Sequence, residues 1–171
     1  QLGLHDEPGR VAISSDGHTA FVALRRGGAV VAIDIAAASI TSRTSTCPAP
    51  RGIAWDPNVN ALRVVCMGGE IVTVESGVVT KSTRIPSLTD LRDVMVTRRG
   101  HLLVTTFRNA EVFELDSAGS AVVAPAIEWL PQLPQYSRVR RVAWKTMIAA
   151  APKDDTDARA ERVTMVSQSD G

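Results

Sequence analysis

The sequence predicts an all-β protein, and the prediction depends on a repeat and on the residues that punctuate it. Three segments repeat the same order of apolar runs and turn residues: Gly9 to Asp34, Arg51 to Glu75 and Arg92 to Asp116. The acids that close these segments stand at intervals of 41 residues. A fixed period of this length is typical of a protein built from repeated supersecondary units.

Each copy is predicted to contain four strands joined by tight turns. The first hairpin of each copy turns at Asp16-Gly17, at Asn58 to Asn60 and at Arg99-Gly100. The second turns at Gly27-Gly28, at Gly68-Gly69 and at Asn109-Ala110. Gly and Asn tolerate the positive φ that two-residue hairpin turns require, so most of these positions suit a turn.

The middle strands indicate how the units pack. Ala20 to Leu24 and Ala29 to Ile33 are apolar throughout rather than alternating, so both of their faces should be covered. Four-stranded sheets stacked at this period are the blades of a β-propeller. The chain is predicted to be one propeller segment over 1–171, with blades at about 8–47, 48–88 and 89–124, an irregular connector at 117–141 and a partial blade at 139–171.

The residues from Pro8 to Asp34, with "VAIS", "DG", "TAFVAL" and a closing Asp, resemble the YVTN-type repeat of the WD-repeat-like superfamily. That resemblance implies a seven-bladed propeller in a bacterial periplasmic or cell-surface protein. The WD-repeat itself is the nearest competitor, but the Trp55-Asp56 pair ends the first strand instead of the third. Six-bladed NHL-type and lactonase-type propellers are similar in outline.

Three blades and a partial one are fewer than the seven or so that such repeats imply. The outer faces of the first and last blades would be bare, and uncovered apolar surface costs about 25 cal/mol per Å². We therefore expect the chain to be a fragment of a larger propeller, with the remaining blades of the parent as its partners, or to self-associate.

Composition excludes several function classes. The 171 residues carry a formal net charge of +1, which gives no overall attraction to nucleic acid. The longest nearly apolar run, Ala29 to Ile40, is shorter than the roughly 20 residues that span a bilayer, so no membrane span is expected. Cys47 and Cys66 form no metal or haem motif, so no metal or cofactor is expected. Cys66 is predicted to be a core residue, and a disulfide with Cys47 stays open.

No residue is predicted to be catalytic. His18 and His101 follow the first hairpin turn in two copies and are expected to be exposed turn residues. The closing acids recur on separate blades, where a short carboxylate can accept hydrogen bonds from its own turn. We expect these acids to be turn residues: Asp34, Glu75 and Asp116.

Arginines recur at one end of the predicted blades. Three stand two residues before the opening apolar residue of a first strand: Arg51, Arg92 and Arg140. Three more lie on second hairpin turns: Arg25, Arg26 and Arg108. In a propeller these positions share one face around the channel mouth, so the sequence predicts a rim that binds a small anionic ligand or a protein partner. The alternative is that these arginines pair with acids of the blades or cap strand carbonyls.

The function predicted from these observations is a non-catalytic scaffold or binding surface in an extracytoplasmic protein. The alternative is the propeller portion of an electron-transfer protein or of a quinoprotein or c-haem enzyme, whose chemistry would lie outside this chain. A sugar-lactone hydrolase is a third possibility, but it needs carboxylates or histidines at the channel, where the sequence places arginines.

Overall fold

The computed structural model describes residues 2–120, 122–125, 140–150 and 161–169, and the side-chain contacts below come from residues 2–120. Within these ranges all of the regular secondary structure is β-strand. The described residues contain no helix that is long and apolar enough to cross a membrane. Residues 126–139 of the predicted connector lie outside the described residues.

Three sheets each contain four antiparallel strands that lie side by side in chain order. The first sheet consists of β1 (Pro8–Ile13), β2 (Thr19–Leu24), β3 (Ala29–Asp34) and β4 (Ser39–Ser45). The second consists of β5 (Pro50–Asp56), β6 (Ala61–Cys66), β7 (Glu70–Glu75) and β8 (Val78–Arg84). The third consists of β9 (Leu91–Val96), β10 (Leu102–Thr106), β11 (Val112–Leu115) and β12 (Val122–Pro125). Two longer strands, β13 (Arg140–Ala150) and β14 (Glu161–Ser169), pair with each other. This arrangement confirms the predicted fold class of three regular four-stranded blades and one irregular unit.

The hairpin turns lie where the sequence predicts them. The first hairpins of the three sheets have positive φ at Gly17, Asn60 and Gly100. The second hairpins have positive φ at Gly28, Gly69 and Ala110. At Gly69 a side chain is also excluded by space, because a Cβ atom would lie 2.2 Å from the carbonyl oxygen of Leu88. The turn chemistry of each repeat therefore sets the boundaries of its strands.

The sheets are stacked so that β6, β10 and most of β3 and β7 are buried. In β2, however, only Ala23 and Leu24 are buried and the other residues are half-buried, so the predicted burial of Ala20 to Leu24 is only partly confirmed. All residues of β6 and β10 are buried. In β6, Val64 belongs to the apolar cluster shared with the first sheet, whereas Val65 belongs to the cluster shared with the third. Burying one Val or Leu side chain contributes about 1.5–3 kcal/mol, so this two-sided burial is the main source of stability.

A buried ion pair lies within the second sheet, and its arginine also donates to a carbonyl in the turn that follows β11 of the third sheet. The Arg63 guanidinium donates to Asp56 Oδ2 at 3.0 Å, to Thr73 Oγ1 at 2.7 Å and to the Ser117 carbonyl at 2.9 Å. The Arg63 and Asp56 side chains are both buried, with 5% and 1% of their surface exposed. The Arg63 guanidinium therefore finds all three of these hydrogen-bond acceptors within the protein itself.

A disulfide joins Cys47, between β4 and β5, to Cys66 at the end of β6. The two Cα atoms lie 6.3 Å apart, within the usual range of about 4.4–6.8 Å. Cys66 is buried, as predicted, and the pairing that the sequence left open is formed here. The bridge fixes the segment that connects the first and second sheets.

We expect Arg63→Ala to lower the free energy of unfolding by about 3–5 kcal/mol, because the buried Asp56 carboxylate then has no cation. Urea unfolding followed by circular dichroism measures this loss. Arg84→Ala is the control: Arg84 is exposed on β8, and its removal should cost less than about 0.5 kcal/mol. A loss below about 1 kcal/mol for Arg63→Ala would contradict the structural role of the pair.

We expect reduction of the disulfide to lower the free energy of unfolding by about 3 kcal/mol, because the bridge joins residues 19 apart in sequence and so restricts the unfolded chain. The measurement compares urea unfolding with and without dithiothreitol. The Cys47→Ser/Cys66→Ser variant should match the reduced protein and should not respond to the reductant. Equal stability of the oxidised and reduced wild type would show that the bridge does not form.

Candidate anion-binding face

A cavity of about 320 Å³ lies where the first strands of the three sheets begin. Its lining includes four arginines and one acid, and the lining residues are Glu7, Pro8, Gly9, Arg10, Arg25, Arg51 and Arg92. We call it the arginine cavity. Strand β5 packs against both β1 and β9, so the beginnings of these three strands are neighbours.

Gly52 explains why two of the arginines approach each other. A Cβ atom on Gly52 would lie 2.7 Å from Asp93 Cα and 2.8 Å from Val94 N, closer than real Cβ contacts. Only glycine therefore lets the backbones of β5 and β9 come this close. Arg51 precedes Gly52, and Arg92 precedes Asp93. Both arginines therefore lie beside this close approach.

Arg92 is the least compensated of these arginines. Among residues 2–120 no carboxylate forms an ion pair with its guanidinium, and its Nε is buried without a hydrogen-bond acceptor. Burial lowers the pKa of Arg92, and the positive charge of Arg10 lowers it further, while Asp93 opposes that change. The fold thus holds a positive charge that its own residues do not fully neutralise.

Arg51 and Arg92 both contact one aromatic ring. The guanidinium carbon of Arg92 lies 5.1 Å from the centre of the Phe107 ring, and that of Arg51 lies 5.7 Å from it. Arg51 has one acid nearby, with its Nη1 at 3.6 Å from Asp90 Oδ1. Cation–π contacts of this kind hold a guanidinium in place without cancelling its charge.

Acids of the blades partly neutralise the other arginines of the face. Glu7 forms ion pairs with both Arg25 and Arg26, the second at 3.1 Å. The hydrogen bond from Arg25 lowers the pKa of the Glu7 carboxyl. Arg10 pairs with the buried Asp93 at 2.8 Å.

The six arginines predicted from the sequence therefore separate into groups. Arg25, Arg51 and Arg92 line the cavity. Arg26 is mostly exposed beside Glu7, and Arg108 is 86% exposed with its Nε at 3.7 Å from Asp90. The side chain of Arg140, the first residue of β13, lies outside the described side chains. Pairing with acids, the alternative, describes Arg25 and Arg26, which both contact Glu7, and also Arg51 and Arg108, which both lie near Asp90.

Two residues that line the cavity were not predicted from the sequence. Arg10 was overlooked because it lies inside β1 rather than before it, and Glu7 because it precedes the repeat. The only sequence signal was their closeness to Pro8, where the repeat begins. Their position depends on the N-terminal segment, which no repeat rule predicts.

The N-terminal segment is held by Asp6. Its carboxylate accepts two hydrogen bonds from Arg43, at 2.7 and 2.8 Å, and one from the backbone N of Gly3 at 2.5 Å. The hydrogen bonds from Arg43, followed by that from Gly3, lower the pKa of Asp6 from 3.8 to about 2. Backbone hydrogen bonds from Arg25 N to Glu7 O and from Arg26 N to Asp6 O tie the segment to the second turn. Glu7 is therefore fixed at the cavity.

The other singled-out polar residues lie away from the cavity. Asp34 and Asp116 accept backbone hydrogen bonds from Ala37 and Ser120, as expected of turn residues. His101 was predicted to be only an exposed turn residue, but its Nδ1 lies 2.6 Å from Glu114 Oε1 and its side chain is one-third exposed, so that prediction was incomplete. Across the described part of the chain no cluster of His, Cys, Asp and Glu could hold a metal ion.

The fold is similar to several solved structures. A catalytically inactive virginiamycin B lyase from Staphylococcus aureus, bound to quinupristin, matches with a TM-score of 0.65 and 16% identity, over 96% of this chain and 50% of that one. The selenomethionine form of virginiamycin B lyase from the same organism matches with a TM-score of 0.63 and 18% identity, over 76% and 44%. Hydrazine synthase from Kuenenia stuttgartiensis matches with a TM-score of 0.59 and 15% identity, over 69% and 35%.

These neighbours have β-propeller folds, and at this identity the likeness shows the fold alone. The chain spans half or less of the length of each of them. No protein-family model and no curated protein matches the chain.

We expect the stability provided by Asp6 to depend on pH below about 4. Because the pKa of this carboxyl is lower in the folded chain than its ordinary value, its contribution is complete above that value and decreases as pH falls toward about 2. The free energy of unfolding of wild type minus that of Asp6→Asn should therefore shrink between about pH 4 and pH 2. A difference that stays constant over this range would contradict the Arg43 contact.

Proposed function

We propose that this chain is a non-catalytic binding segment of a larger β-propeller protein, and that the arginine cavity receives an anionic group of a small ligand or a protein partner. The observation that carries the proposal is Arg92, which lines the cavity and has no acidic partner among residues 2–120. Its neighbour Arg51 lies across the close approach of β5 and β9.

Electrostatics supports an external anion. Partly buried charge is costly when it is not paired, and structural arginines normally acquire their partner within the fold, as Arg63 does. Arginine suits carboxylate and phosphate groups because its planar donors can bind two oxygens at once. An anion at Arg92 would supply the negative charge that no carboxylate of residues 2–120 provides.

A larger parent propeller would also cover the first sheet. Val11 and Ile13 on β1 are 57% and 54% exposed, although neighbouring residues of the same sheet are apolar and buried. The matched residues cover half or less of each similar solved chain, which leaves room for further blades. We propose that other blades of a YVTN-type, seven-bladed parent pack against this face.

The proposed location is the bacterial periplasm or cell surface. Disulfides persist in oxidising compartments and are rare in the cytosol of most organisms. The bridge between Cys47 and Cys66 supports this location, together with the resemblance to the YVTN-type repeat.

The proposal is tested by NMR titration of the full chain with acetate and with phosphate at constant ionic strength. At least one of these anions should shift the backbone amide signals of β5 and β9 saturably. Arg92→Met and Arg51→Met should weaken that binding by at least about tenfold, because a charge-assisted hydrogen bond contributes about 1.5–3 kcal/mol.

Arg99→Met is the matched control. Arg99 is an exposed arginine in the turn between β9 and β10, at the opposite end of β9 from Arg92. Its replacement should leave anion binding unchanged. If neither anion binds saturably, or if Arg92→Met binds as well as wild type, the proposal is wrong.

A further inference from the structure

We infer that a second cavity, between the first and second sheets, binds an uncharged sugar ring. The inference goes beyond the proposed function, because this cavity shares no lining residue with the arginine cavity and would take a ligand of different chemistry. Its volume is about 290 Å³, near the lower end of the range of small-molecule sites. We call it the interblade cavity.

The interblade cavity is lined by apolar and hydrogen-bonding side chains. Phe21, Trp55 and Leu62 are among the apolar ones, and the hydroxyl groups include those of Thr41 and Ser42. None of the described residues that line it is Lys, Arg, His, Asp or Glu. A charged ligand would therefore lose water without gaining an ionic partner, which is costly. The lining favours a neutral ligand.

One row of paired residues differs between the first two sheets. Each row runs across the second, third and fourth strands of its sheet and faces the next sheet. In the first sheet the row consists of Phe21, Ala32 and Ser42, and all three line the interblade cavity. In the second sheet the row at the equivalent positions consists of Arg63, Thr73 and Lys81.

In the second sheet, the long side chains of this row reach the third sheet. Arg63 donates to the Ser117 carbonyl at 2.9 Å. Lys81 Nζ donates to the Ala118 carbonyl at 3.0 Å and to Ser120 Oγ at 2.7 Å. The space between these two sheets is thus bridged by hydrogen-bond donors that end on the turn between β11 and β12.

The row of the first sheet provides no such donors. Phe21 has no polar group, and the Ser42 side chain is much shorter than a lysine. The turn that corresponds to the one after β11 lies between β7 and β8, and its Ser76 and Gly77 line the interblade cavity. The Gly77 carbonyl accepts one hydrogen bond, from Thr44 Oγ1 at 2.7 Å, and can accept a second. A ligand with O–H groups would donate where Arg63 and Lys81 donate at the next interface.

A sugar ring meets these requirements. It is uncharged, and each of its hydroxyl groups both donates and accepts hydrogen bonds. Thr41 Oγ1 donates its own hydrogen to the Ala32 carbonyl at 3.2 Å, so its lone pairs can accept from a ligand hydroxyl. The C–H groups of the ring would pack on the aromatic pair of Phe21 and Trp55, whose ring centres lie 5.3 Å apart. A purely apolar ring would leave the surrounding hydroxyls without partners.

The test follows the indole N–H signal of Trp55 by NMR while the full chain is titrated with the methyl glycosides of glucose, galactose and mannose. Trp55→Phe assigns the signal, and at least one glycoside should shift it saturably. The titrations are made at about pH 6, where the amino group of a second probe, glucosamine, is protonated. Glucosamine should bind at least about tenfold more weakly than the best glycoside, because its charge has no partner. Phenol, an apolar ring with one hydroxyl, should also bind more weakly.

Three results would overturn the inference. The first is that no glycoside binds saturably. The second is that glucosamine binds as tightly as the best glycoside, and the third is that phenol does.

Ser42→Lys locates the site, because it introduces a lysine at the position equivalent to Lys81. Its side chain should occupy the interblade cavity and lower the affinity for the best glycoside at least about tenfold, as expected for one or two lost hydrogen bonds. Ser45→Lys is the matched control, since Ser45 is exposed on the same strand and does not line the cavity. It should bind the glycoside as wild type does, and an equal loss in both variants would contradict the inference.

Ala32→Leu occupies the same cavity with an apolar side chain, so the test does not depend on one variant. It should weaken glycoside binding to a similar extent. Circular dichroism and urea unfolding verify that each variant folds. Glycoside binding that is unchanged in a folded Ser42→Lys or Ala32→Leu variant would show that the sugar does not bind in the interblade cavity.

Discussion

The close approach of strands β5 and β9 at Gly52 is the constraint on which the arginine cavity depends. A side chain at this position would collide with the backbone of Asp93 and Val94, so the first strands of the second and third sheets meet only because residue 52 is glycine. The approach places Arg51 and Arg92 side by side and on the same aromatic ring, Phe107. The packing of the second sheet against the third therefore also brings together two of the arginines that line the cavity.

Two arginines differ in how far the residues of the fold satisfy their charge. Arg63 is buried, and its guanidinium is bound by Asp56, Thr73 and the Ser117 carbonyl, which ties two sheets together. Arg92, on β9, forms no ion pair with an acid among residues 2–120, and its pKa is lowered by burial and by other arginines. A partly buried charge without an ionic partner is costly, and this cost is the physical basis of the proposal that an anion binds at Arg92.

Much of the architecture could be predicted from the sequence because the same order of apolar strands and turn residues occurs in three copies. Turn residues such as Gly17 and Asn60 adopt the positive φ that their types favour, and the middle strands β6 and β10 are buried on both faces, although β2 is only half-buried. The rim positions Arg51 and Arg92 followed from the same periodicity. The positions of Glu7 and Asp6 did not, since their segment precedes the repeat and is held by a contact with Arg43, distant in sequence. The Arg63 pair was missed because a charge inside an apolar strand shows its partner only in three dimensions.

The central claim is that Arg92 is kept for a ligand and contributes little to the fold. The most direct test is the free energy of unfolding of Arg92→Met compared with wild type, measured in urea without any binding anion. We predict a change of less than about 1 kcal/mol, since the variant loses one cation–π contact and removes an uncompensated charge. A loss of about 3 kcal/mol or more, as expected when a buried ion pair is broken, would show that Arg92 stabilises the fold and would contradict a role in ligand binding alone.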